Sequence, residues 1–298
     1  MKLATTTGDY FKYTNSQKFA LEHIRKAGFK YADYNFCLDC SQNSGVFSEN
    51  YKEYIESINN LNDKLDLKLV QAHAPMGKPL IDGGVLLNAT LRCIDACAEW
   101  NIPNIVVHSG YAQGFSKEQT FEENKKFFLP LLERAEKYNI NILVENFNRM
   151  CVPGLYWIDN ARDLLAIIEI VNHPLFHAVW DVGHANLQEM PQDEELKLLS
   201  HHVRAFHIHD NMGDNDSHLA PFLGTVNLDA VINGMFDIGY KGYFTFEVGR
   251  FFVSPEYRRK FDKSKLLESA PIELRDEFEK YLYQLGKCVL EKYNCFEE

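Results

Sequence analysis

The chain has 298 residues, of which 42 are acidic and 31 basic, and its formal net charge at pH 7 is −11. The length suits one α/β barrel, and the acidic balance argues against a protein made for general nucleic-acid binding, which usually carries a basic surface. The N-terminal sequence lacks the apolar core of a signal peptide, and no apolar run is as long as a membrane span. Seven cysteines, an odd number, are typical of reduced thiols, so we expect a cytoplasmic protein that does not enter a membrane.

Strand-like and helix-like segments alternate along the whole sequence. The predicted strands are Lys2–Thr7, Tyr31–Leu38, Lys68–His73, Asn104–His108, Asn141–Glu145, Phe176–Asp181, Arg204–His209 and Gly242–Val248. The predicted helices are Ser16–Gly28, Glu49–Leu65, Gly84–Trp100, Lys117–Tyr138, Asn160–Val171, Asp193–Leu199, Leu228–Ile238 and Pro271–Lys292. These strand–helix pairs, with no linker or low-complexity tract between them, predict a parallel sheet closed into a (β/α)8 TIM barrel, an α/β fold that forms one domain over residues 1–298.

Polar side chains end the apolar strands from the third predicted strand to the eighth. In chain order they are His73, His108, Glu145, Asp181 with His184 just beyond it, and Glu247. Because the C-terminal ends of barrel strands converge on one face, where active sites lie, we expect these side chains to meet. Carboxylates that face one another repel unless a cation neutralises them. A mixed set of histidines and carboxylates suits Mn²⁺, Zn²⁺, Co²⁺ or Fe²⁺ rather than Ca²⁺, so the sequence predicts a divalent metal site.

The seventh predicted strand adds two histidines to this set. Side chains alternate between the faces of a strand, so His207 and His209 point to the same side. Asp216 and His218 follow a few residues later and offer two more groups that bind metals. The sequence alone does not decide whether this pair binds a further ion or only lines a pocket.

Seven short motifs occur in order from the third predicted strand to the eighth. They are Ala72-His73-Ala74-Pro75, Val107-His108, Val144-Glu145-Asn146, Asp181-Val182-Gly183-His184, Phe206-His207-Ile208-His209-Asp210-Asn211, Asp216-x-His218 and Phe246-Glu247. As an ordered set they resemble the xylose-isomerase-like TIM-barrel superfamily. That superfamily includes sugar-phosphate isomerases and epimerases and the zinc apurinic endonucleases.

The resemblance implies roles for individual residues. In the ketose epimerases of the superfamily one metal is held by residues that match Glu145, Asp181, His207 and Glu247. The two glutamates also act there as an acid/base pair on opposite faces of the substrate, and the residue that matches His184 helps to hold the substrate. The endonucleases bind three zinc ions with a larger set of ligands. The matching residues are His73, His108, Glu145, Asp181, His184, His207, Asp216, His218 and Glu247.

Two departures favour sugar chemistry over phosphodiester cleavage. Asn146-Phe147-Asn148-Arg149 follows Glu145, where we expect a Gly-rich loop in the endonucleases, and His209-Asp210-Asn211 is closer to sugar isomerase-like proteins. The predicted function is therefore a metal-dependent isomerase or epimerase of a sugar or sugar phosphate. It would abstract a proton next to a carbonyl through a metal-stabilised enediolate. The alternative is a metal-dependent apurinic endonuclease-like phosphodiester hydrolase.

The predicted substrate contacts are His184, His209, Asn146 and Arg250. Arg250 begins a basic cluster that continues with Arg258, Arg259, Lys260, Lys263 and Lys265. This cluster is either a solvated charge run or a contact for a substrate phosphate or for a partner subunit in a homo-oligomer. The identity of the metal, Mn, Zn or Co, and the number of ions, from one to three, remain open at this level.

Overall fold

The computed structural model describes residues 1–148, 154, 156–188, 190–249 and 271–298. Eight parallel strands form a closed barrel in chain order, and β8 pairs with β1. The strands are β1 Lys2–Thr6, β2 Tyr31–Asn35, β3 Lys68–His73, β4 Asn104–Val107, β5 Asn141–Glu145, β6 Phe176–Asp181, β7 Val203–Ile208 and β8 Tyr243–Phe246. The predicted TIM barrel is confirmed.

Helices follow the strands and cover the outside of the barrel. They are α1 Gln17–Ala27, α2 Cys37–Ser41, α3 Tyr51–Leu65, α4 Val85–Glu99, α5 Lys117–Glu136, α6 Ala161–Val171, α7 Val182–Asn186, α8 Gln192–Leu199, α9 Leu228–Asp237 and α10 Ile272–Lys292. In the described part of the chain, none of them combines the length and apolar character needed to span a lipid bilayer.

Local sequence signals account for many of the helix ends. The Ser16 side chain accepts a hydrogen bond from the backbone of Phe19 at the start of α1, and Gly28 ends the helix with φ +115°. Between these caps, Ala20, Leu21 and Ile24 are buried in the apolar core. A serine cap before the helix and a left-handed glycine after it are the signals that predicted this element.

The prediction for the second strand is wrong over its last residues. The strand ends at Asn35, and the chain then turns into α2 instead of continuing to Leu38. The Asn35 side-chain oxygen accepts a hydrogen bond from the backbone of Cys37 at 2.9 Å, a turn in which the asparagine side chain replaces a backbone group. This turn, which the apolar pattern did not indicate, brings Cys37 to the barrel mouth.

The barrel interior is layered along the strands. Val106, Leu143, Val179 and Ala205 form a buried apolar cluster inside the barrel. Two residues further along the same chain segments stand His108, Glu145, Asp181 and His207. Because side chains repeat on one face of a strand every two residues, the polar set lies directly above the apolar layer. A much larger apolar core lies between the strands and the helices and fixes the strand ends in place.

Candidate metal centre

Four strand-end residues meet at the C-terminal mouth of the barrel. Glu145, Asp181, His207 and Glu247 each offer one ligand atom, and these atoms lie within 4.8 Å of one another. His207 Nδ1 lies 3.1 Å from Glu145 Oε1, 3.8 Å from Asp181 Oδ2 and 3.5 Å from Glu247 Oε2. One ring nitrogen therefore faces three carboxylates, which is the arrangement that a cation between them would require.

Glu145 belongs to a second group as well. With His73 and His108 it forms another set whose ligand atoms lie within 4.8 Å. His108 Nε2 is 2.6 Å and His73 Nε2 3.7 Å from Glu145 Oε2, whereas the other oxygen, Oε1, faces His207. Each carboxylate oxygen thus serves a different group, so Glu145 is placed to bridge two ions.

A third group consists of His184, His209, Asp216 and His218. Asp216 Oδ2 lies 3.4 Å from His184 Nε2 and 3.2 Å from His218 Nε2. The structure adds His209, which the sequence predicts only as a substrate contact. Its ring stacks on that of His218 with a centroid separation of 3.9 Å, and its Nε2 lies 3.0 Å from Asp181 Oδ1. His209 therefore connects the third group to Asp181 in the first.

The loop that carries Asp216 and His218 is shaped by a buried aspartate. Asp210 exchanges backbone hydrogen bonds with Leu219, both of 2.8 Å. The Asp210 side chain also accepts hydrogen bonds from the backbone of Asn211, Gly224 and Val226 at 2.8 to 3.0 Å. A Cβ on Gly224 would lie 2.3 Å from Asp210 Oδ1, so this turn requires glycine.

Three histidines have their rings oriented for metal binding through Nε2. Their Nδ1 atoms face backbone carbonyl oxygens. The pairs are His73 with Ala74 at 2.8 Å, His184 with Asn146 at 3.0 Å and His218 with Glu247 at 2.9 Å. A carbonyl can only accept, so in a neutral ring the proton stays on Nδ1 and Nε2 presents a lone pair to the cluster. A metal-bound histidine usually donates its other ring N–H to a carbonyl or carboxylate, as these three can. The donor set therefore fits a divalent cation.

In the described part of the chain, histidines are the cationic partners of Glu145, Asp181 and Glu247. Burial raises the pKa of the Glu145 carboxyl, but His207 and His108 outweigh burial and hold that pKa well below its usual range. Burial lowers the pKa of His207, but Glu247 and Glu145 outweigh it and raise that pKa well above its usual range. Among the described residues, no Lys or Arg forms an ion pair with Glu145, Asp181 or Glu247. When no cation is bound, protons on the histidines supply the positive charge that balances these carboxylates. A bound divalent cation would supply that charge instead.

Two side chains beside His207, those of Gln71 and Asp33, were not predicted from the sequence. His207 Nε2, on the far side of the ring from the carboxylates, lies 2.8 Å from the Gln71 amide and 3.5 Å from Asp33 Oδ2. Both residues are buried and lie opposite each other on β2 and β3. Each precedes a polar strand-end residue, Asn35 or His73, by two positions. That alternation of polar residues inside a barrel strand was the available signal.

The predicted substrate contacts stay predictions, and the structure shows where three of them lie. The Asn146 side chain donates to the backbone oxygen of Asp181 at 2.9 Å and accepts from its backbone nitrogen at 2.8 Å. This pairing ties β5 to β6, and the substrate contact of Asn146 stays a prediction. His184 is buried within the third group. Arg250 and the basic cluster that follows it lie outside the described residues.

The mouth of the barrel opens into a cleft of about 340 Å³. Glu247 and His218 line one side of it, and Cys37, Met76 and Lys12 line others. Glu145 and Asp181 are almost fully buried, whereas the Glu247 side chain is 15% exposed. Glu247 is therefore the carboxylate of the first group that a ligand in this cleft reaches directly.

The sequence of this eight-stranded barrel matches a known family. A model described as xylose isomerase-like TIM barrel matches residues 21–261. The chain belongs to the xylose isomerase-like TIM-barrel family.

Among curated proteins, the chain is 27% identical over 248 residues to an uncharacterised protein of Methanocaldococcus jannaschii, covering 78% of this chain and 82% of that one. It is 25% identical over 182 residues to fructoselysine 3-epimerase of Escherichia coli O157:H7, covering 61% of this chain and 58% of the epimerase. The alignment thus spans little more than half of that enzyme.

Solved structures share the fold over nearly the whole chain. The zinc-bound IOLI protein superposes with a TM-score of 0.73 at 18% identity and covers 98% of this chain and 99% of its own. An L-ribulose 3-epimerase superposes with a TM-score of 0.72 at 14% identity and covers 98% and 95%. At these identities the likeness establishes the barrel architecture.

Proposed function

We propose that the protein is a divalent-metal-dependent isomerase or epimerase of a sugar or sugar phosphate. The observation that carries the proposal is the group of Glu145, Asp181, His207 and Glu247, whose ligand atoms converge at the barrel mouth above a buried apolar layer. The likeness to a fructoselysine epimerase and to the fold of a ribulose epimerase supports the same reaction class. The metal, Mn, Zn or Co, and the sugar are parts of the proposal that the experiments below decide.

Glu247 has the position of a group that exchanges a proton with the substrate. Its carboxylate lines the cleft, and its nearest described partners are His207 Nδ1 at 3.5 Å and His218 Nδ1 at 4.0 Å. It can therefore approach a C–H bond beside a carbonyl without first breaking a short hydrogen bond. A divalent ion bound below it would polarise the neighbouring substrate oxygens and stabilise the negative charge that develops.

Glu145 is placed differently, although the sequence predicted the two glutamates as an equivalent pair. Both of its oxygens face histidine nitrogens, at 2.6 and 3.1 Å, and its side chain is 1% exposed. We infer that Glu145 acts chiefly as a bridging ligand. Its acid/base role on the opposite face of the substrate stays a prediction, as do the homo-oligomer and the cytoplasmic location.

Proton exchange with solvent tests this function across many candidate sugars at once. Metal-depleted protein is reloaded with Mn²⁺, Co²⁺ or Zn²⁺ and incubated in D₂O with a panel of ketoses that includes fructoselysine, L-ribulose and their phosphates. NMR then follows deuterium entering next to the carbonyl. Glu247→Gln should slow this exchange by about 10²- to 10⁴-fold, the usual contribution of a positioned acid/base group.

The matched control is Glu195→Gln. Glu195 is also a buried glutamate, but it accepts a hydrogen bond from the backbone of Ala161 at the start of α6 and belongs to none of the three ligand groups. This variant should exchange at the wild-type rate. Wild-type exchange by Glu247→Gln, or no exchange with any metal and ketose, would contradict the proposal.

A second candidate, hydrolysis of a phosphodiester at abasic sites in DNA, is favoured by one observation. The second group, which contains His73, and the third group, which contains His184, adjoin the first group. The described residues could therefore hold three ions rather than one. Two or three ions would generate hydroxide and clamp a phosphate. Cleavage of an abasic duplex by nanomolar protein, abolished by His73→Ala, would establish this activity, whereas intact duplex after long incubation would exclude it.

A further inference from the structure

Four hydrogen bonds to backbone groups hold Glu247 and the next residue, Val248, in place. The N–H of Glu247 donates to the backbone oxygen of Ile208 on β7 at 3.1 Å, and its own carbonyl accepts from His218 Nδ1 at 2.9 Å. The next residue, Val248, donates its N–H to Asp9 Oδ2 at 3.0 Å and accepts from Arg275 Nη1 at 2.8 Å. The peptide group that joins Glu247 to Val248 is thus bound on both edges, which leaves it one orientation.

The side chain of Glu247 needs this support more than the other carboxylates do. Asp181 accepts a hydrogen bond from the backbone of His184 at 2.6 Å, and Glu145 has a histidine nitrogen 2.6 Å from one oxygen. The nearest described contact of the Glu247 carboxylate is 3.5 Å away. Its position is therefore determined mainly by its Cα, and the Cα by the two peptide groups beside it.

Asp9 and Arg275 come from distant parts of the chain. Asp9 lies in a short turn of 3₁₀ helix after β1, and Arg275 lies in the first turn of α10, beyond the part of the chain that follows β8. Arg275 Nη2 is 3.2 Å from Asp9 Oδ2, and the same group contacts Glu279, which accepts from Thr5 Oγ1 at 2.7 Å. The arginine side chain is 1% exposed.

The burial of Arg275 between Asp9 and Glu279 is energetically unfavourable unless their ion pairs and hydrogen bonds compensate for it. Removing such charges from water costs several kcal/mol per ion, and apolar residues of similar size often stabilise a fold better. The planar guanidinium can, however, donate in several fixed directions at once, here to Val248, Asp9 and Glu279. Gly249 leaves room for the same cluster, because a Cβ there would lie 3.2 Å from Asp9 Oδ1.

We propose that Asp9 and Arg275 are positioning residues for Glu247: they bind both backbone groups of Val248 and thereby place the Glu247 carboxylate beside His207. Neither residue was singled out by the sequence, since each lies far along the chain from Glu247. The inference rests on the metal group of the proposed function but not on the identity of the sugar.

Binding of Co²⁺ to the metal-depleted full chain, followed by visible absorption, tests this role without a substrate. Glu247→Gln first identifies the ion that Glu247 binds, as the step of the titration that it weakens. Arg275→Lys keeps the charge but loses the planar fork, and we expect it to weaken the same step by about tenfold, the lower end for residues that support a ligand. In the double variant Glu247→Gln/Arg275→Lys the arginine change should add less than a factor of about two, because its effect passes through Glu247.

The matched control is Asp276→Asn on the same helix. Asp276 pairs with His23 at 2.6 Å and Lys26 at 3.3 Å and so attaches α10 to α1, but it does not contact Val248. This variant should bind Co²⁺ as the wild type does, even if its melting temperature falls as far as that of Arg275→Lys.

The possible failures are distinguishable. A lower melting temperature with wild-type Co²⁺ affinity in Arg275→Lys, or a fully additive loss in the double variant, would reduce Arg275 to a structural role and overturn this inference alone. A wild-type chain that binds no Co²⁺ would overturn both this inference and the proposed function. The expected Co²⁺ pattern without exchange on any ketose would leave the positioning role standing and remove the sugar chemistry.

Discussion

The candidate metal centre has two parts that are built in different ways. Glu145, Asp181 and His207 lie on barrel strands and are almost fully buried, with their orientation imposed by the strand and the apolar layer beneath. Asp216 and His218 lie on the loop after β7, and their side chains are 16% and 22% exposed. The strand-borne part is rigid because a strand of a closed barrel cannot shift without its hydrogen-bonded neighbours. The loop-borne part depends on a few local hydrogen bonds. We therefore expect the two parts to respond differently to mutation.

The largest effect should follow a change in the strand-borne part, Glu145→Gln. The glutamate bridges two ligand groups, so its loss removes a charge from both. We expect metal content to fall by more than one ion if several are bound, and turnover to fall by about 10³-fold or more, which corresponds to about 4 kcal/mol. Elemental analysis and the deuterium-exchange assay measure the two quantities, with Glu195→Gln as control. Unchanged metal content would show that Glu145 is not a bridge.

A smaller effect, on stability and on the loop-borne part alone, should follow Asp210→Ala. The change leaves the backbone N–H groups of Asn211, Gly224 and Val226 without their acceptor. We expect the free energy of unfolding to fall by about 3 kcal/mol, since each buried unsatisfied group costs about 1–3 kcal/mol. Urea unfolding measures this loss. Metal analysis should show one ion fewer at most, and loss of every ion would mean that the two parts are not independent.

The last effect concerns the loop-borne pair and is seen in the pH dependence of stability. Burial lowers the pKa of His218, but Asp216 outweighs burial and raises that pKa to about 10. Because the pKa of the folded state lies above that of the unfolded state, the stabilisation is complete below about pH 6.5 and is lost as the pH rises towards 10. In metal-free protein this group should lower the free energy of unfolding by up to about 1.4 kcal/mol per pH unit in that window.

Asp216→Asn is the variant that measures this term. Without the carboxylate, the His218 pKa should fall, and the variant should lose less stability than the wild type between pH 7 and 10. Urea unfolding of both proteins over this range gives the difference directly. Parallel pH profiles would mean that Asp216 does not hold the His218 proton.

Much of this centre was predictable because it follows a strict period. His108, Glu145, Asp181 and His207 each stand two residues beyond an apolar residue of the barrel interior, so alternation along the chain and the barrel fold together determine that they meet. Helix signals such as Ser16 and Gly28 are similarly local, and the structure places these helix ends where the sequence predicted them. In these places one segment of the chain carries all the necessary information.

The remaining features depend on contacts between distant segments, which no local pattern records. The amide of Asn146 pairs with the backbone of Asp181, where β5 lies beside β6. His209 joins the third metal group only because the Asp210 turn brings His218 onto its ring. The sequence by itself thus determined the barrel and which residues face its mouth, since both follow from the two-residue period of a strand. Only the tertiary structure decided how those residues divide into groups. It also decided how Asp9 and Arg275, 266 positions apart, come to hold the peptide beside Glu247, because loop closure and helix docking set those distances.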